Sequence, residues 1–349
     1  PLVDPTNTNV IYCLSQNGNL GKSTNDGSSF SNATNGISGG DRKNWNTPIA
    51  FDPANPDIVY YGANKLYQTT NAAGNWTAIS PDLTDGPYPG NLTLGTITSI
   101  SVSTFDSDII YVGTDDGNVW VTEDGGGNWD NISSMLPDRW VTSVLASRED
   151  VNKVYVTFSG YRYGEDNGHV YRSNNTGANW TDISTTLPDI PINDIVQDSQ
   201  GYLYLAADVG VFASVNEGAD WQVLGDNLPS LVVNDMHIHE ASQYLYIGTY
   251  GRSSYKIDLS AIVLGTAENT FANEVVLAPN PAATYVDIKS SNGLSSVTIF
   301  DVLGREVKFE NIENSDQQVR MDLSELSRGV YYVLVSNGSS KTTQKLIKK

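Results

Sequence analysis

One polar motif recurs five times between residues 23 and 221 and constrains the fold of this chain more than any other feature. It reads Ser or Thr, any residue, Asn or Asp, any residue, Gly, two further residues and then an aromatic residue. The aromatic residues are 46, 53, 51 and 41 positions apart, close to the period of about 40 to 50 residues at which four-stranded propeller blades repeat. The five copies are Ser23–Phe30, Thr69–Trp76, Thr122–Trp129, Ser173–Trp180 and Ser214–Trp221, and the second has Ala73 in place of Gly.

Each copy of the motif predicts a tight hairpin between two strands. Asn and Asp side chains accept hydrogen bonds from nearby main-chain amides, and Gly supplies the positive φ that such a turn needs. Runs of alternating apolar residues, such as Ile109–Gly113 and Tyr202–Ala206, flank the copies and are typical of strands. The sequence therefore predicts an all-β fold in which the motif joins the third and fourth strands of each blade.

The spacing of these runs predicts about six blades or part-blades. Complete four-stranded layouts fit residues 45–80, 96–133, 140–184 and 191–225. Residues 232–259 predict a blade without the motif, and residues 9–32 predict one without an inner strand. Because the chain also starts at Pro1 without a leader segment, we expect an upstream part to be missing.

These five copies resemble the Asp-box, or BNR, repeats of the β-propellers found in sortilin-type receptor domains, sialidases and inverting xyloglucanases. The resemblance covers about residues 9–259. It implies that the motif residues belong to the scaffold, since their role in the turn accounts for every residue type in them. Because this scaffold carries both enzymes and binding proteins, the resemblance leaves the activity open.

Charge divides the chain into two parts. The net charge is −20, yet residues 271–349 carry nine acidic and nine basic side chains, so the whole excess lies in residues 1–270. A field of this sign repels phosphate backbones, so we expect no nucleic acid partner. Apolar stretches such as Ala261–Leu264 are far shorter than the roughly 20 residues of a membrane helix, so no membrane span is expected. The predicted domains are a propeller at 1–260, a linker at 261–274 and a C-terminal domain at 275–349.

The C-terminal domain is predicted to be a small β-sandwich, because six strand-like runs alternate with Gly, Asn and Ser turns. Four of its segments together resemble the type A C-terminal sorting domain of the type IX secretion system of diderm bacteria. These segments are Leu277–Ala282, Val297–Val307, Met321–Val333 and Thr343–Lys349.

The resemblance implies a protein that is secreted or held at the outer-membrane surface. The expected partners are the type IX machinery and a surface protease that removes the domain, after which the protein is released or joined to lipopolysaccharide. The residues expected to carry sorting recognition are Gly304, Arg305, Gly329, Lys345, Lys348 and Lys349.

Ligand-binding residues are expected at the blade ends opposite the motif hairpins. Carboxylates, tyrosines and tryptophans around a common mouth suit a sugar, because rings stack on pyranoses and carboxylates hold hydroxyl groups. The alternatives are that the tryptophans pack between blades and that the acids are only solvated. The expected ligand-binding residues are Trp45, Trp140, Tyr161, Arg162, Tyr163, Glu165, Asp166, Tyr250 and Arg252.

These features favour a recognition module for polysaccharide or protein over an enzyme. The alternative is an inverting endo-glucanase similar to xyloglucanases, with Asp115, Asp116 and Asp208 as catalytic candidates. Such an enzyme needs two carboxyl groups about 6.5 to 9.5 Å apart. A sialidase-like activity is disfavoured because the Phe/Tyr-Arg-Ile-Pro segment of sialidases is absent. A third hypothesis is a receptor that binds peptides in its tunnel, similar to sortilin.

No cofactor or metal is expected. Cys13 is the single cysteine, so neither an intrachain disulfide nor a thiolate cluster can form. His237 and His239 alternate along one predicted strand and offer two ligands without an evident third.

Overall fold

The computed structural model describes residues 1–86, 94–160, 168–184, 186–225, 228–261, 275–301, 304–312, 316–338 and 341–349. The chain divides into two compact units, Pro1–Leu264 and Gly265–Lys349. In the described parts, the secondary structure is β-strand apart from two single-turn 3₁₀ helices, Gln16–Gly18 and Leu259–Ala261. The predicted all-β class is thereby confirmed. Apart from Ala261, the predicted linker lies outside the described residues, so it stays a prediction.

The described residues of the first unit form six antiparallel sheets that follow one another along the chain, as the predicted blades do. The first three blades are four-stranded: β1 Leu2–Val3, β2 Ile11–Ser15, β3 Asn19–Ser23 and β4 Ser31–Asn32; β5 Ile49–Phe51, β6 Val59–Gly62, β7 Leu66–Thr69 and β8 Thr77–Ala78; β9 Ile97–Val102, β10 Ile110–Thr114, β11 Val119–Thr122 and β12 Asp130–Asn131. The next three are β13 Val141–Ala146, β14 Val154–Phe158, β15 Val170–Ser173 and β16 Thr181–Asp182; β17 Ile192–Gln197, β18 Leu203–Ala207, β19 Gly210–Ser214 and β20 Gln222–Leu224; and β21 Val233–His239, β22 Tyr244–Thr249 and β23 Ser254–Asp258.

Blade one differs from its prediction, because it has an inner strand. Leu2 and Val3 pair with Tyr12 and Ile11 of β2. The chain can turn back at once because the Asp4 carboxylate accepts hydrogen bonds from the main-chain amides of Thr6 and Asn7. A strand of two residues is too short to show the alternation from which the other strands were predicted.

The motif hairpins share one hydrogen-bonding pattern in all five blades that contain them. In blade four, the Ser173 hydroxyl donates to Asn175 Oδ1 at 2.9 Å and accepts the Gly177 amide at 2.9 Å. Asn175 Oδ1 also accepts the Asn179 amide at 2.9 Å. The same three bonds recur in the other four copies. The motif therefore satisfies its own turn amides, as its composition predicts.

The motif tryptophans join consecutive blades. Each indole Nε1 donates to the main-chain carbonyl that lies three residues after the motif aromatic of the preceding blade. The bonds run from Trp76 to Ala33, Trp129 to Ile79, Trp180 to Ile132 and Trp221 to Ile183, at 2.8, 3.0, 2.8 and 2.8 Å. Each ring packs against a core cluster at its junction, so the motif fixes both the turn and the contact between blades.

The motif glycine packs against the preceding blade. A methyl group at Gly177 would lie 2.3 Å from Ile132 Cδ1, and one at Gly218 would lie 2.5 Å from Ile183 Cδ1. The second copy tolerates Ala73, although its φ is 64°, because the facing residue of blade one is the small Ala33. Ala73 replaces the motif glycine and Ala33 replaces the isoleucine of the later blades, so the smaller residue at position 33 compensates for the larger one at position 73.

The two ends of the blades are built from different turns. At one end, the motif hairpins bond to the turns between first and second strands, as in the Gly125 amide to the Asp108 carbonyl at 3.0 Å. At the other end, the turns between second and third strands bond to the chain that enters each inner strand. Examples are Ser159 to Trp140 at 3.1 Å and Tyr250 to Val232 at 2.9 Å. We call this second end the loop face.

The second unit is a sandwich of two antiparallel sheets, as predicted. Its core comprises residues of both sheets, among them Val286, Ile288, Ile299 and Val333. One sheet has the order β24-β25-β28 and the other β27-β26-β29-β30. The strands are β24 Val276–Ala278, β25 Tyr285–Lys289, β26 Ser296–Asp301, β27 Glu306–Asn311, β28 Gln318–Asp322, β29 Gly329–Ser336 and β30 Lys341–Lys348.

The contact between motif glycine and preceding blade leads to a double-mutant prediction. We expect Gly177→Ala to lower the free energy of unfolding by about 2 kcal/mol or more, because it combines a clash with Ile132 and a positive φ. In the Ile132→Ala background the same change costs at least about 1 kcal/mol less, because the clash is gone. Urea unfolding of the two single variants and the double variant measures this coupling. Strictly additive effects would show that the contact does not constrain the glycine.

Candidate functional site

The predicted ligand-binding residues that the structure describes all lie at the loop face. Trp45 and Trp140 lie before the inner strands of blades two and four, and Tyr250 and Arg252 lie in the turn between β22 and β23. Five predicted residues fall outside the described residues, namely Tyr161, Arg162, Tyr163, Glu165 and Asp166.

Two exposed rings mark the loop face. The Trp45 side chain is 61% exposed and that of Tyr250 is 78% exposed. Trp140 is half-buried, so part of its ring packs against the protein. Further exposed apolar side chains at the same end are Leu94, Met135 and Val209. Met135 has a φ of 72°, a conformation that is costly for a residue with a side chain.

Asp115 and Asp116 are buried and bonded to neighbouring loops. The Asp115 carboxylate accepts the amides of Leu94 and Thr96 at 2.6 and 2.7 Å. Asp116 accepts the Asp85 amide at 2.8 Å and the Thr114 hydroxyl at 2.5 Å. Burial, with the charge of Asp116, raises the pKa of Asp115 despite its hydrogen bonds. These contacts tie both carboxylates to Asp85, Leu94 and Thr96, and a catalytic role for either stays a prediction.

Asp208, the third catalytic candidate, lies in the turn between β18 and β19. It is half-buried, and its Oδ1 accepts Asn193 Nδ2 at 2.9 Å. The same Asn193 nitrogen donates to the Val233 carbonyl of blade six at 2.9 Å. Asp208 is thereby linked to the inner strands.

The inner strands carry a second repeat, which the sequence analysis did not predict. Four of them begin with an apolar residue, then Thr or Asn, then Ser or Asp, then an apolar residue. In each copy the second residue is skipped by the pairing register and forms a bulge. The copies are Ile97–Ile100, Val141–Val144, Ile192–Ile195 and Val233–Met236.

The bulged residues join each inner strand to the next. Thr98 Oγ1 donates to the Val141 carbonyl at 2.6 Å, and Thr142 Oγ1 donates to the Ile192 carbonyl at 2.7 Å. Asn193 makes the corresponding bond to Val233. The repeat is hard to recognise in the sequence because its polar residues change. They are Thr-Ser in blades three and four and Asn-Asp in blades five and six.

Asp194 and Asp235 occupy the third position of this repeat in adjacent blades. Asp194 accepts the Met236 amide of blade six at 3.0 Å and the Ile195 amide at 2.9 Å. Burial, followed by the Asp235 charge, raises the pKa of Asp194 to about 7. Desolvation by the surrounding protein atoms also raises the pKa of Asp235, although its side chain is exposed, and the charge of His237 opposes that rise. We call these two residues the inner-strand acid pair.

An acid whose pKa is near 7 can both donate and accept a proton at neutral pH. The raised pKa makes the inner-strand acid pair a further candidate beside Asp115 and Asp116. Among the described residues, no group of three or more His, Cys, Asp or Glu side chains is placed to hold a metal ion. His169 is buried, and its Nε2 lies 2.9 Å from Asp189 Oδ1, which explains it as a packed, bonded residue.

The predicted sorting residues occupy two places in the sandwich. Gly304, with a φ of 73°, and Arg305 form the turn between β26 and β27, where the Arg305 side chain pairs with Asp301 at 2.7 Å. Gly329 begins β29 and pairs with Lys348 of the last strand. Lys345 and Lys349 are exposed, and Lys348 is half-buried.

The last strand is held by the Pro-Asn-Pro segment. Asn280 Nδ2 donates to the Lys345 carbonyl at 2.7 Å, and Asn280 Oδ1 accepts the Ile347 amide at 3.0 Å. The Lys349 amide bonds to the Ala282 carbonyl at 2.8 Å. Two motifs that are far apart in sequence, Leu277–Ala282 and Thr343–Lys349, therefore form one structural element.

Residues 276–349 match the family of secretion system C-terminal sorting domains. This match confirms the sorting domain predicted from the sequence and indicates export by type IX secretion to the cell surface or the extracellular space. Within the described residues, the structure contains no helix that is long and apolar enough to cross a membrane.

The rest of the chain is similar to β-propellers. An oligoxyloglucan-reducing end-specific xyloglucanase of Emericella nidulans is 27% identical over 144 residues, which cover 38% of this chain and 17% of that protein. The GH74 xyloglucanase from Xanthomonas campestris has a TM-score of 0.57 at 12% identity, over 96% of this chain and 57% of that one. A second structure, YCF48 bound to D1 peptide, has a TM-score of 0.52 at 15% identity, over 71% and 74%. The likeness shows the propeller fold, and the chain spans about a sixth of the fungal relative and just over half of the bacterial one.

The inner-strand acid pair predicts a specific pH dependence of stability. The folded-state pKa of Asp194, about 7, exceeds its ordinary value of 3.8, so the unfolded chain loses this proton first. The folded protein therefore loses stability as the pH rises from about 4 to above 7. Asp194→Asn does not have this loss. The melting temperature of the variant minus that of the wild type is therefore expected to increase across that pH interval and to keep its increased value above it.

Thermal unfolding at a series of pH values between 4 and 8 measures this gap. Ser99→Ala is the matched control, since it removes the equivalent inter-blade bond, to the Val144 amide, but no titrating group. A constant difference between Asp194→Asn and wild type over the whole interval would contradict the raised pKa.

Proposed function

We propose that this chain is an exported recognition module whose loop face binds a polysaccharide or protein ligand. The observation that carries the proposal is the exposure of Trp45 and Tyr250 at that face. Exposed tryptophan and tyrosine rings offer an apolar face together with a polar group, which suits them to contact a ligand. Neither ring is explained by packing between blades, the alternative that the sequence left open for Trp45.

A polysaccharide is the ligand class that the chemistry favours. The two exposed rings offer flat apolar faces for pyranoses, and Asp208 and Arg252 add hydrogen-bonding groups at the same end. Similarity to two proteins named as xyloglucanases supports this choice. The peptide-bound YCF48 structure is the corresponding support for a protein ligand.

A second candidate function is glycoside hydrolysis of the inverting type. It is favoured by the inner-strand acid pair, since one carboxyl group must be protonated near neutral pH to serve as general acid. Release of reducing ends from xyloglucan, abolished in Asp194→Asn, would establish this activity. Absence of reducing ends together with retained xyloglucan binding would leave the recognition function alone.

We further propose that the sorting domain is removed after export and that the passenger remains at the cell surface or is released. Among the proposed recognition residues, Arg305 is exposed at a β-turn and accessible to a secretion component. The Asn280-bound last strand presents Lys345 and Lys349 at the surface of the same unit.

The loop-face proposal predicts the effect of removing its rings. We expect Trp45→Ala and Tyr250→Ala each to weaken binding to the polysaccharide ligand about tenfold or more, because each removes a stacking surface. Affinity electrophoresis in gels that contain xyloglucan or other polysaccharides measures the change. Phe105→Ala is the matched control, since Phe105 is 54% exposed at the opposite end of blade three. The loop face is not the site if Trp45→Ala and Tyr250→Ala are retarded as strongly as Phe105→Ala in every gel that retards the wild type.

The sorting proposal predicts the effect of changing its turn. Deletion of residues 276–349 is expected to leave the protein inside a type IX-secreting host, and Arg305→Ala to lower the exported fraction. Immunoblots of cell and medium fractions measure both. Arg320→Ala, which removes another exposed arginine of the same unit, serves as control. If the Arg320 and Arg305 variants are exported equally, Arg305 is not a recognition residue.

A further inference from the structure

The junction between blades five and six differs from the four junctions before it. In each of those, a motif tryptophan fills the space between the two blades. Blade six contains no motif, and its strand β23 is the outermost strand among the described residues of that blade. A cavity of about 310 Å³ lies beside this strand.

The walls of the cavity match the surroundings of Trp221 position by position. Trp221 belongs to a cluster with Val170, Ile183, Leu203 and Leu205, against which Leu187 packs. In blade four, Val170 precedes the motif serine, and Ile183 and Leu187 follow the motif tryptophan. Three residues of blade five stand at the same distances from its own motif serine and tryptophan. These are Val211, Leu224 and Leu228, and all three line the cavity.

The blade-six side of the cavity matches as well. Leu245 and Ile247 pair with Ile257 and Tyr255, as Leu203 and Leu205 of blade five pair with Ser214 and Phe212. Leu245, Ile247, Tyr255 and Ile257 all line the cavity. The motif serine is replaced by Ile257, so blade six cannot form the turn that would place its own tryptophan here.

We infer that this cavity is a socket for the tryptophan of an extended peptide that adds as a strand to the edge of β23 that no described strand covers. The chemistry of the occupant follows from the four earlier junctions, where an indole ring lies within apolar walls. There the Trp221 N–H donates to the Ile183 carbonyl, and the equivalent acceptor at this junction is the Leu224 carbonyl. The socket continues the established interface between blades five and six. An apolar cavity of about 150 Å³ already holds benzene, so this one has room for an indole.

Strand addition supplies the remaining contacts. In blades one to five, the outer strand pairs with the third strand over two or three residues, as β20 does with β19. A peptide on β23 would make the same main-chain bonds, while its tryptophan gives specificity. None of Trp45, Asp208, Tyr250 and Arg252 lines the socket, so its occupant is independent of the ligand proposed above.

The test uses the full chain and a peptide copied from blade five. A labelled, acetylated and amidated peptide of residues 214–225 carries the motif, the tryptophan and the outer strand. We expect saturable binding by fluorescence anisotropy, and at least about tenfold weaker binding of the same peptide with Ala at the tryptophan position. Binding is also expected to slow hydrogen exchange of the amides of residues 255–257.

Two protein variants locate the site. Leu228→Trp places a ring in the socket and is expected to weaken peptide binding about tenfold or more. Val223→Trp, at a neighbouring exposed position that does not line the cavity, is the control and leaves binding unchanged. No saturable binding to the full chain, equal affinity of the Ala peptide, or unaltered binding to Leu228→Trp would each overturn the inference.

Discussion

The hydrogen bond from a motif indole to a carbonyl of the preceding blade is the interaction on which the first unit depends. A four-stranded blade has two apolar faces and cannot bury both alone, so it is stable only against its neighbours. The indole fills the space between two blades, and its N–H donates to a main-chain carbonyl of the preceding blade. Because the ring follows directly after the motif turn, the turn that closes a hairpin also determines where the next contact forms.

This coupling explains why the repeat tolerates some changes and not others. Gly177 and Gly218 have no room for a methyl group, since an isoleucine of the preceding blade lies against each. At Ala73 the facing residue is Ala33, and the space that isoleucine would fill is free for the extra carbon. The residues of one motif are therefore matched to a residue some 40 positions earlier, which a motif considered by itself cannot show.

The strands and the motif hairpins could be predicted from the sequence because their signals are local. Alternation of apolar residues and the Asn-x-Gly turn act over a few residues, and both appear in the structure where they were expected. The two-residue strand Leu2–Val3 has no periodicity and was missed. The carboxylates of Asp115 and Asp116 look like a reactive pair in sequence, yet their partners, Leu94 and Asp85, come from a loop some 20 to 30 residues away.

The inner-strand acid pair was missed for a related reason, and this reason bears on its role. Ser99 accepts the Val144 amide with a neutral hydroxyl at 3.0 Å, and Asp194 accepts the Met236 amide at the same distance. The bond between blades therefore needs an acceptor but not a charge. A second carboxylate at Asp235 raises the pKa of Asp194 further, which makes ionisation of the folded protein less favourable. Blades three and four make the corresponding bond with the neutral Ser99, so the electrostatic cost of the acid pair is not required for this contact between blades.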